Sequence, residues 1–476
     1  MQSPTRNAVK MILLAWVLLG VYSITLTLRG GSAVGGIDFY SWQELWSYQG
    51  LNSADKYRTD SIIQSYAESK YSKSTTARTD SLLPIPDIDL NRQGFLANAE
   101  ALSIFFSALH GIPDSGKMRI LHYGDSQIEG DRITSHIRTL FQSHFGGKSL
   151  GYIPLEDPAS AYAFTRKNSG NWKRHSVFQN KDNQQQYGLS GVVYRYAQKI
   201  LRDSLHPDTI HETILHGNYA YSEFKFRAPV QCDNAILAYG RTNAECSVNM
   251  YQKDSLISKT ILKGNQQWNT WKLPISKSTD QFRLEFQGAP SPALYGLYLD
   301  NERGIMVDNY AIRGHSGNGL LQIPDSLLQA QCKAQNVKLF IIQYGNNVIP
   351  FLDSIGECDY FERHYYMIFS KIRRLVPDAS VLVVGVGDML TQYHGNDITY
   401  PLLPAFRDAQ KRAAERSGCA FWDLYEAMGG ERALLAWTKN KLASKDGHFA
   451  PEGQRLIASK LFEDIILAYK KQQLHP

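Results

Sequence analysis

A serine and a histidine stand in two distant loops whose composition suits hydrolytic chemistry. Ser126 lies in "RILHYGDSQIEGDRIT" (residues 119–134), directly after an apolar run. Asp446 and His448 lie in "SKDGHFAPEG", just before a helical pattern near the C-terminus. A serine hydroxyl becomes a nucleophile when a base takes its proton and a third group orients that base. These residue types therefore suit attack on an ester, although a Gly-Asp-Ser tripeptide alone is ordinary turn composition.

Two further residues could stabilise the negative charge that such an attack creates. Gly314 in "DNYAIRGHSG" and Asn347 in "QYGNNV" each follow another apolar run. In open α/β sheets, sites form where the strands end at their carboxyl side. Each residue has a structural alternative, since Gly314 and Asn347 could be turn residues and His448 could begin the last helix. Their joint occurrence, in order after successive strands, favours the catalytic interpretation.

Positioning these residues requires a sheet whose strands all end at one edge. Short apolar runs of the kind that form buried parallel strands alternate with amphipathic helical patterns. This alternation predicts an α/β fold, a doubly wound parallel sheet of about five strands. The predicted strands are 118–123, 304–307, 337–344, 379–387 and 420–422, and the predicted helices are 93–110, 127–145, 359–375, 404–417 and 452–470.

A long interval of different character separates the first two predicted strands. It spans about 180 residues, far more than a strand–helix–strand crossover needs. From residue 209 onward it contains eight short alternating runs with turn residues between them, which predict a β-sandwich. We therefore expect a two-part α/β domain, 93–160 and 303–476, with a β-sandwich inserted at 161–302. Four of its aromatic residues could stack on sugars or fill its core: Tyr239, Tyr251, Trp268 and Trp271.

The N-terminus predicts a membrane anchor. Residues 11–28 carry no charge, and Arg6 and Lys10 precede them. This length approaches what a bilayer requires, and no clear cleavage site follows, so a signal-anchor in 1–28 is favoured over a cleaved signal peptide. The polar segment 29–92 would be a stalk or lead-in. The positive-inside rule then places the remaining chain outside the cytoplasm.

Composition restricts the classes of function. The chain has 476 residues, of which 43% are hydrophobic and 20% charged, as in ordinary globular proteins. The net charge of +6 comes from dispersed lysines and arginines, so we expect no nucleic-acid partner. The five cysteines show no metal-binding spacing. Cys232 and Cys246 could pair across a hairpin or remain separate thiols.

The four loops together resemble the SGNH (GDSL-type) hydrolase family. The resemblance implies that Ser126 is the nucleophile, His448 the general base and Asp446 the residue that orients His448. It also implies an oxyanion hole formed by the backbone N–H groups of Ser126 and Gly314 and by the amide of Asn347. The family usually has two residues between the Asp and the His, whereas one residue separates them here.

Two further stretches, "HFGGKSLGYIP" (144–154) and "FWDLYEAMGG" (421–430), resemble bacterial envelope members of that family. These members imply a peptidoglycan or polysaccharide O-acetylesterase that acts in the cell envelope on an acetylated glycan and needs no cofactor or metal. The alternatives are an O-acetyltransferase with an acetyl-donor partner in the membrane, and a non-catalytic surface glycan-binding protein. An intact set of site residues argues against the last. No long apolar lid is visible to exclude water, which favours hydrolysis over transfer.

Overall fold

The computed structural model describes residues 53–68, 82–112, 116–196, 218–275 and 278–474. The predicted anchor at 11–28 and much of the predicted stalk lie outside these residues. Among the described helices, none combines the length and the apolar character needed to cross a membrane. The chain divides into two units, Met1–Asp60 and Ser61–Pro476, and the elements that bear on function belong to the second.

The strands and helices of the described residues are numbered in chain order. The strands are β1 (Leu96–Ala97), β2 (Lys117–Gly124), β3 (Gly151–Ile153), β4 (Phe164–Asn168), β5 (Lys173–Ser176), β6 (Val192–Arg195), β7 (Tyr219–Gln231), β8 (Asn234–Tyr239), β9 (Cys246–Gln252), β10 (Ser255–Leu262), β11 (Asn269–Leu273), β12 (Ser278–Gln287), β13 (Leu294–Asp300), β14 (Gly304–Ala311), β15 (Val337–Gln343), β16 (Ser380–Val384), β17 (Leu390–Tyr393), β18 (Asn396–Thr399) and β19 (Ala420–Trp422). The helices are α1 (Ser53–Glu68), α2 (Ser103–His110), α3 (Arg132–Phe145), α4 (Asp325–Ala334), α5 (Ile355–Leu375), α6 (Leu403–Arg416), α7 (Leu424–Met428), α8 (Ala433–Lys439) and α9 (Pro451–Leu474).

The central sheet has the strand order β1-β19-β16-β15-β2-β14. Its last five strands run parallel, which confirms the predicted parallel sheet. The sixth, β1, pairs antiparallel with β19 at the edge. The helix predicted over 93–110 was wrong at residues 96–97, where β1 forms, because a two-residue strand is too short to show a period in the sequence. The chain crosses from β2 to β14 on one side and then to β15 on the other, so the strand order reverses at β2. Ligands of such sheets bind at this reversal, beyond the carboxyl ends of the strands.

Helices cover both faces of this sheet because alternate strand residues point to opposite faces. In β2, Ile120 packs into the core formed with α2, α3 and α9, whereas Leu121 packs into the core on the α4, α5 and α6 side. The helix predicted over 127–145 begins later, at Arg132, after a 3₁₀ turn at Glu129–Asp131. That turn contains left-handed residues, which a regular helix would not hold.

Two antiparallel sheets lie between β2 and β14 in the chain. One has the order β10-β9-β12-β7-β4 and the other β11-β8-β13-β6-β5, with β3 also paired to β13. Inward-facing rings join them: Phe286 of β12 lies 5.5 Å, centroid to centroid, from Trp172 beside β5. Seven of the eight predicted alternating runs coincide with strands, and the eighth, at 209–217, lies outside the described residues. The domain boundaries remain predictions. Strand β3 lies before the predicted boundary at residue 161, although it pairs with β13 of the antiparallel sheets.

Two open questions from the sequence are answered within these sheets. Cys232 and Cys246 are both buried free thiols, so they do not pair across a hairpin. Tyr239 is only 4% exposed and its hydroxyl donates to the carbonyl of Lys263, so this ring fills the core and cannot stack on a sugar. Trp268 is partly buried and stacks on Tyr295 at 6.0 Å.

Candidate active site

Ser126 lies in a tight turn directly after β2. The carboxylate of Asp125 accepts a hydrogen bond from the backbone N–H of Gln127 at 2.9 Å, which closes the turn. Arg132, at the start of α3, donates to the carbonyl of Ser126 at 2.9 Å. A Cβ at Gly124 would stand 3.0 Å from the backbone oxygen of Gln343 and 2.9 Å from the side chain of Ile128, so a glycine favours this close packing at the strand end. Ser126 is thereby held at the carboxyl edge of the central sheet, which we call the catalytic edge.

His448 reaches Ser126 from the loop that precedes α9. Its Nε2 lies 2.8 Å from the Oγ of Ser126. The loop is closed by a hydrogen bond from Ser444 N to His448 O at 2.8 Å. Gln127, next to the nucleophile, donates its side-chain amide to the carbonyl of Gly447 at 2.9 Å. The turn that carries the serine therefore also fixes the loop that carries the histidine.

Asp446 contacts the other nitrogen of the imidazole despite the one-residue spacing. Its Oδ2 lies 3.0 Å from His448 Nδ1. The intervening Gly447 has φ +85°, a left-handed conformation that turns the carboxylate back toward the ring. The Oδ1 of Asp446 accepts hydrogen bonds from the hydroxyl of Ser444 and, at 3.3 Å, from the N–H of His448.

The pKa of Asp446 is lowered. Its partial burial acts to raise the pKa, but the hydrogen bonds from Ser444 and His448 and the nearby imidazole outweigh that effect. The carboxylate thus stays ionised and can accept a hydrogen bond from Nδ1–H, which would leave Nε2 as the atom able to take the proton of Ser126.

Asn347 connects the nucleophile turn to the loop of Gly314. Its Nδ2 donates to Asp125 Oδ2 at 2.8 Å and lies 3.4 Å from the carbonyl oxygen of His315. Gly345, two residues earlier, has φ +127°, and a Cβ there would meet Val386 at 2.6 Å. Only a glycine allows the chain to leave β15 along this path, and that path brings Asn347 beside the nucleophile turn.

Gly314 leaves the neighbouring strand at the same level. Ala311 at the end of β14 is in register with Gly124 at the end of β2. The N–H of Ile312 then donates to the carbonyl of Gly124 at 2.9 Å. Gly314 has φ +73°, so its backbone adopts the left-handed conformation that a glycine accepts without strain.

All five predicted site residues therefore meet at the catalytic edge. Ser126, His448 and Asp446 form one continuous hydrogen-bonded chain, and Asn347 touches the residues that adjoin Ser126 and Gly314 in sequence.

Asp125 is a buried carboxylate next to the nucleophile. Burial raises its pKa to about 6, while hydrogen bonds from Gln127 and Asn347 and the charge of His448 partly oppose the shift. Asp125 thus accepts one hydrogen bond from its own turn and one from the loop of Asn347. Sequence reasoning gave it no role, although its place inside the Gly-Asp-Ser motif was a usable signal.

An ion pair that the sequence did not reveal joins the turn of Ser126 to the loop of Gly314. Arg313 donates to both carboxylate oxygens of Glu129, at 2.9 and 2.5 Å. Glu129 is buried, whereas the side chain of Arg313 is 71% exposed. Because Glu129 follows Ser126 and Arg313 precedes Gly314, this pair clamps the nucleophile turn to the Gly314 loop.

His315 is a structural histidine. It is buried, and its Nε2 accepts the N–H of Gly319 at 2.8 Å. Burial lowers its pKa to about 4, so the ring is neutral at neutral pH. Among the described residues, no group of three or more His, Cys, Asp or Glu side chains could hold a metal ion.

A solved protein structure has a similar fold. No protein-family model matches the chain, and no curated protein matches it. Among solved structures, a peptidoglycan O-acetylesterase is similar with a TM-score of 0.61 and 18% identity, over 78% of this chain and 97% of that one. An acetyl xylan esterase and a GDSL-like lipase from Parabacteroides merdae each cover 34% of this chain, and 81% and 74% of their own, at 16% identity. Their TM-scores are 0.25 and 0.27.

The chain has the fold of the SGNH/GDSL-type esterases. This confirms the resemblance seen in the sequence at the level of the fold, and the similarity to the peptidoglycan O-acetylesterase extends over 78% of this chain.

Proposed function

We propose that this protein is a serine esterase that removes O-acetyl groups from a cell-envelope carbohydrate such as peptidoglycan. The observation that carries the proposal is the hydrogen-bonded chain Ser126–His448–Asp446, with contacts of 2.8 and 3.0 Å. Such a chain is what nucleophilic acyl transfer requires. The substrate class is suggested by the solved peptidoglycan O-acetylesterase that shares the fold.

In the acylation step, Ser126 Oγ attacks the acetyl carbonyl while its proton passes to His448 Nε2. The ionised Asp446 stabilises the imidazolium that forms. When the tetrahedral intermediate collapses, the sugar oxygen leaves and takes the proton from Nε2. An acetyl ester on Ser126 remains. Water then attacks this ester with His448 again acting as the base, and acetate and free Ser126 are released.

The oxyanion is received by the N–H groups of Ser126 and Gly314 and by the amide of Asn347. Both hydrogens of that amide already have partners, at 2.8 Å on Asp125 and at 3.4 Å on the carbonyl of His315. The longer contact is the weaker one. The oxyanion therefore replaces the carbonyl of His315, while the bond to Asp125 keeps the amide in place.

The cellular setting of this proposal is the extracytoplasmic side of the cell envelope. It is supported by the charge-free segment 11–28 with its preceding basic residues and by the envelope enzyme that shares the fold. The proposal includes an N-terminal anchor and an acetylated glycan as the partner.

The test is acetate release from O-acetylated peptidoglycan and from an aryl acetate, with Ser126→Ala compared to the wild type. Ser107→Ala, on the exposed side of α2, serves as the matched control because its hydroxyl bonds only within that helix. We expect acetate release by the wild type and the control and none by Ser126→Ala. Retained turnover in folded Ser126→Ala would refute the proposal. Adding a glycan acceptor with an acetyl donor tests the alternative, since a transferase would acetylate the glycan and release little acetate.

A further inference from the structure

Two exposed aromatic rings stand at the catalytic edge, and neither comes from the α/β domain. Both belong to the segment between β3 and β6, which leads into the antiparallel sheets. Phe178 is 39% exposed and Tyr162 is 36% exposed. Most other rings of that region are buried in its core. Singly exposed rings are common on protein surfaces, so what distinguishes these two is their position beside the loops that carry the candidate site residues.

Phe178 lies against the loop of Gly314. Its Cε1 is 3.5 Å from where a Cβ of Gly314 would stand, and its ring centroid is 5.3 Å from that of His315. The hydroxyl of Ser176 closes the turn beneath it, because it donates to the carbonyl of Gln179 and accepts the N–H of Phe178.

The residue before Phe178 anchors this turn from below. Val177 is 1% exposed and packs against Gly319, where a Cβ would meet its side chain at 2.5 Å. The backbone that carries Phe178 is therefore fixed, and its ring packs on one side against His315.

Tyr162 lies against the elements that carry Ser126 and His448. Its backbone N–H donates to the carbonyl of Gly130 at 3.3 Å, four residues after the nucleophile. Its hydroxyl donates to Gln454 Oε1 at 3.0 Å, and the amide of Gln454 donates to the carbonyl of Phe449, the neighbour of His448. Phe178 thus contacts the loop of Gly314, and Tyr162 contacts Gln454 of α9, which in turn bonds to the loop of His448.

We infer that Phe178 and Tyr162 are the specificity-determining residues of this site, against which the pyranose rings of an acetylated glycan stack. The inference rests on the proposed esterase function. The C–H face of a sugar is apolar enough to cover an aromatic ring, while its hydroxyls stay in water. Rings that are already fixed lose little conformational freedom on binding, so most of the contact contributes to affinity. The segment before β6 thereby sets the preference of the serine site for a glycan ester.

The experiment compares two substrates: O-acetylated peptidoglycan fragments and ethyl acetate, which is too small to reach both rings. The measured quantity is the glycan preference, the ratio of the two kcat/KM values. We expect Phe178→Ala and Tyr162→Ala each to lower this preference about tenfold, through a higher KM for the glycan, because a ring contact contributes about that factor. Phe178→Trp and Tyr162→Phe retain a ring and should retain the preference.

Tyr366→Ala is the control with matched exposure, at 37%. Tyr366 lies in the second half of α5 and packs on Arg416 at the end of α6, away from the catalytic edge. Its loss should leave the glycan preference as in the wild type.

The outcomes separate this inference from the proposed function. If Ser126→Ala still cleaves ethyl acetate, the proposed function fails. If cleavage requires Ser126 but both alanine variants keep the wild-type preference, or the wild type has no preference for the glycan, only the inference about the rings is overturned. A preference lost equally in Tyr162→Phe and Tyr162→Ala would assign the effect to the hydrogen bond with Gln454 and would also overturn stacking.

Discussion

Two acidic residues adjoin Ser126 and His448, the proposed catalytic pair, and their surroundings are opposite. One lies in the turn of the proposed nucleophile (residues 124–129, the nucleophile turn) and the other in the loop of the proposed base (residues 444–450, the base loop). Asp125 in the nucleophile turn is 2% exposed; one oxygen accepts from Gln127 within the turn, and the other accepts from Asn347 of a distant loop. Asp446 in the base loop has a side chain that is 68% exposed and accepts only from residues within its own loop.

This difference separates two ways in which a carboxylate can serve one site. Burial raises the pKa of Asp125 to about 6, whereas the pKa of Asp446 is lowered, its hydrogen bonds outweighing its partial burial. Asp125 holds the turn and the amide of Asn347 in place, and Asp446 faces the imidazole that would become charged in the proposed reaction. The nucleophile turn is thus organised by the core, while the base loop is organised by local contacts and by Gln127.

The largest expected effect concerns the pair that links the two regions. Ser126→Ala and His448→Ala should each reduce ester cleavage by several orders of magnitude, because the acyl-enzyme cannot form without the nucleophile or its base. Neither side chain is buried, so folding should be intact by circular dichroism. Turnover near the wild-type value in either variant would show that the contact at 2.8 Å is not catalytic.

Asn347→Ala should lower kcat by about 100-fold to 1000-fold, as the loss of one oxyanion donor typically does. It also removes the amide that Asp125 accepts at 2.8 Å. Asn347→Ala combined with Asp125→Asn distinguishes the two contributions. If the second change restores stability but not kcat, the loss in kcat belongs to the oxyanion hole.

Asp446→Ala should cost less than His448→Ala, on the order of 100-fold in kcat, because the carboxylate supports a general base and is largely exposed to solvent. Asp446→Asn tests whether the charge or the hydrogen bond matters.

Kinetics in 0.1 and 1 M salt should show a loss of activity at high salt in the wild type and little change in Asp446→Ala, since screening weakens an exposed charge. A silent Asp446→Ala would mean that another group orients His448.

Arg313→Ala should destabilise the protein by about 1–3 kcal/mol, because it removes both hydrogen bonds from the buried carboxylate of Glu129. Denaturant unfolding measures the change. Glu129→Gln in the Arg313→Ala background should recover much of it, since a neutral amide costs less to bury. If the losses of unfolding free energy in Arg313→Ala and Glu129→Gln add up to the loss in the double variant, the two residues do not stabilise the protein as a pair.

An effect on stability of similar size is a pH dependence from Asp125. Its folded pKa of about 6 lies above the usual value of 3.8, so between about pH 4 and 6 the folded state holds a proton that the unfolded state has lost. The contribution of this group to stability is therefore present below pH 4 and is lost as the pH rises to about 6, with a slope of at most about 1.4 kcal/mol per pH unit. The measurement is the unfolding free energy in urea at several pH values, for the wild type and for Asp125→Asn. If the difference between the two does not change with pH, Asp125 lies in a polar environment and its pKa is not raised.

Many of the strands and helices could be predicted from local sequence patterns. The buried parallel strands showed as uninterrupted apolar runs, and β2, β15 and β19 lie within a residue or so of their predicted limits. Seven alternating runs marked strands of the antiparallel sheets because alternate residues face the core. Helices α1, α4, α7 and α8 were not predicted. Helix α1 lies in the segment that was expected to be a stalk or lead-in, and α7 and α8 are too short, at 5 and 7 residues, to show a helical period.

The sequence by itself determined which residues could do the chemistry, because a serine, a glycine, an asparagine and an Asp–His pair each follow a recognisable strand or precede the last helix. Only the tertiary structure decided how they are held: the bond from Gln127 to Gly447 spans 320 positions, the pair of Glu129 and Arg313 spans 184, and Phe178 and Tyr162 come to the site from another part of the chain. Strands and turns arise from neighbouring residues and leave a local pattern. Contacts between distant residues follow from how the elements pack, and a single sequence carries no periodic signal for them.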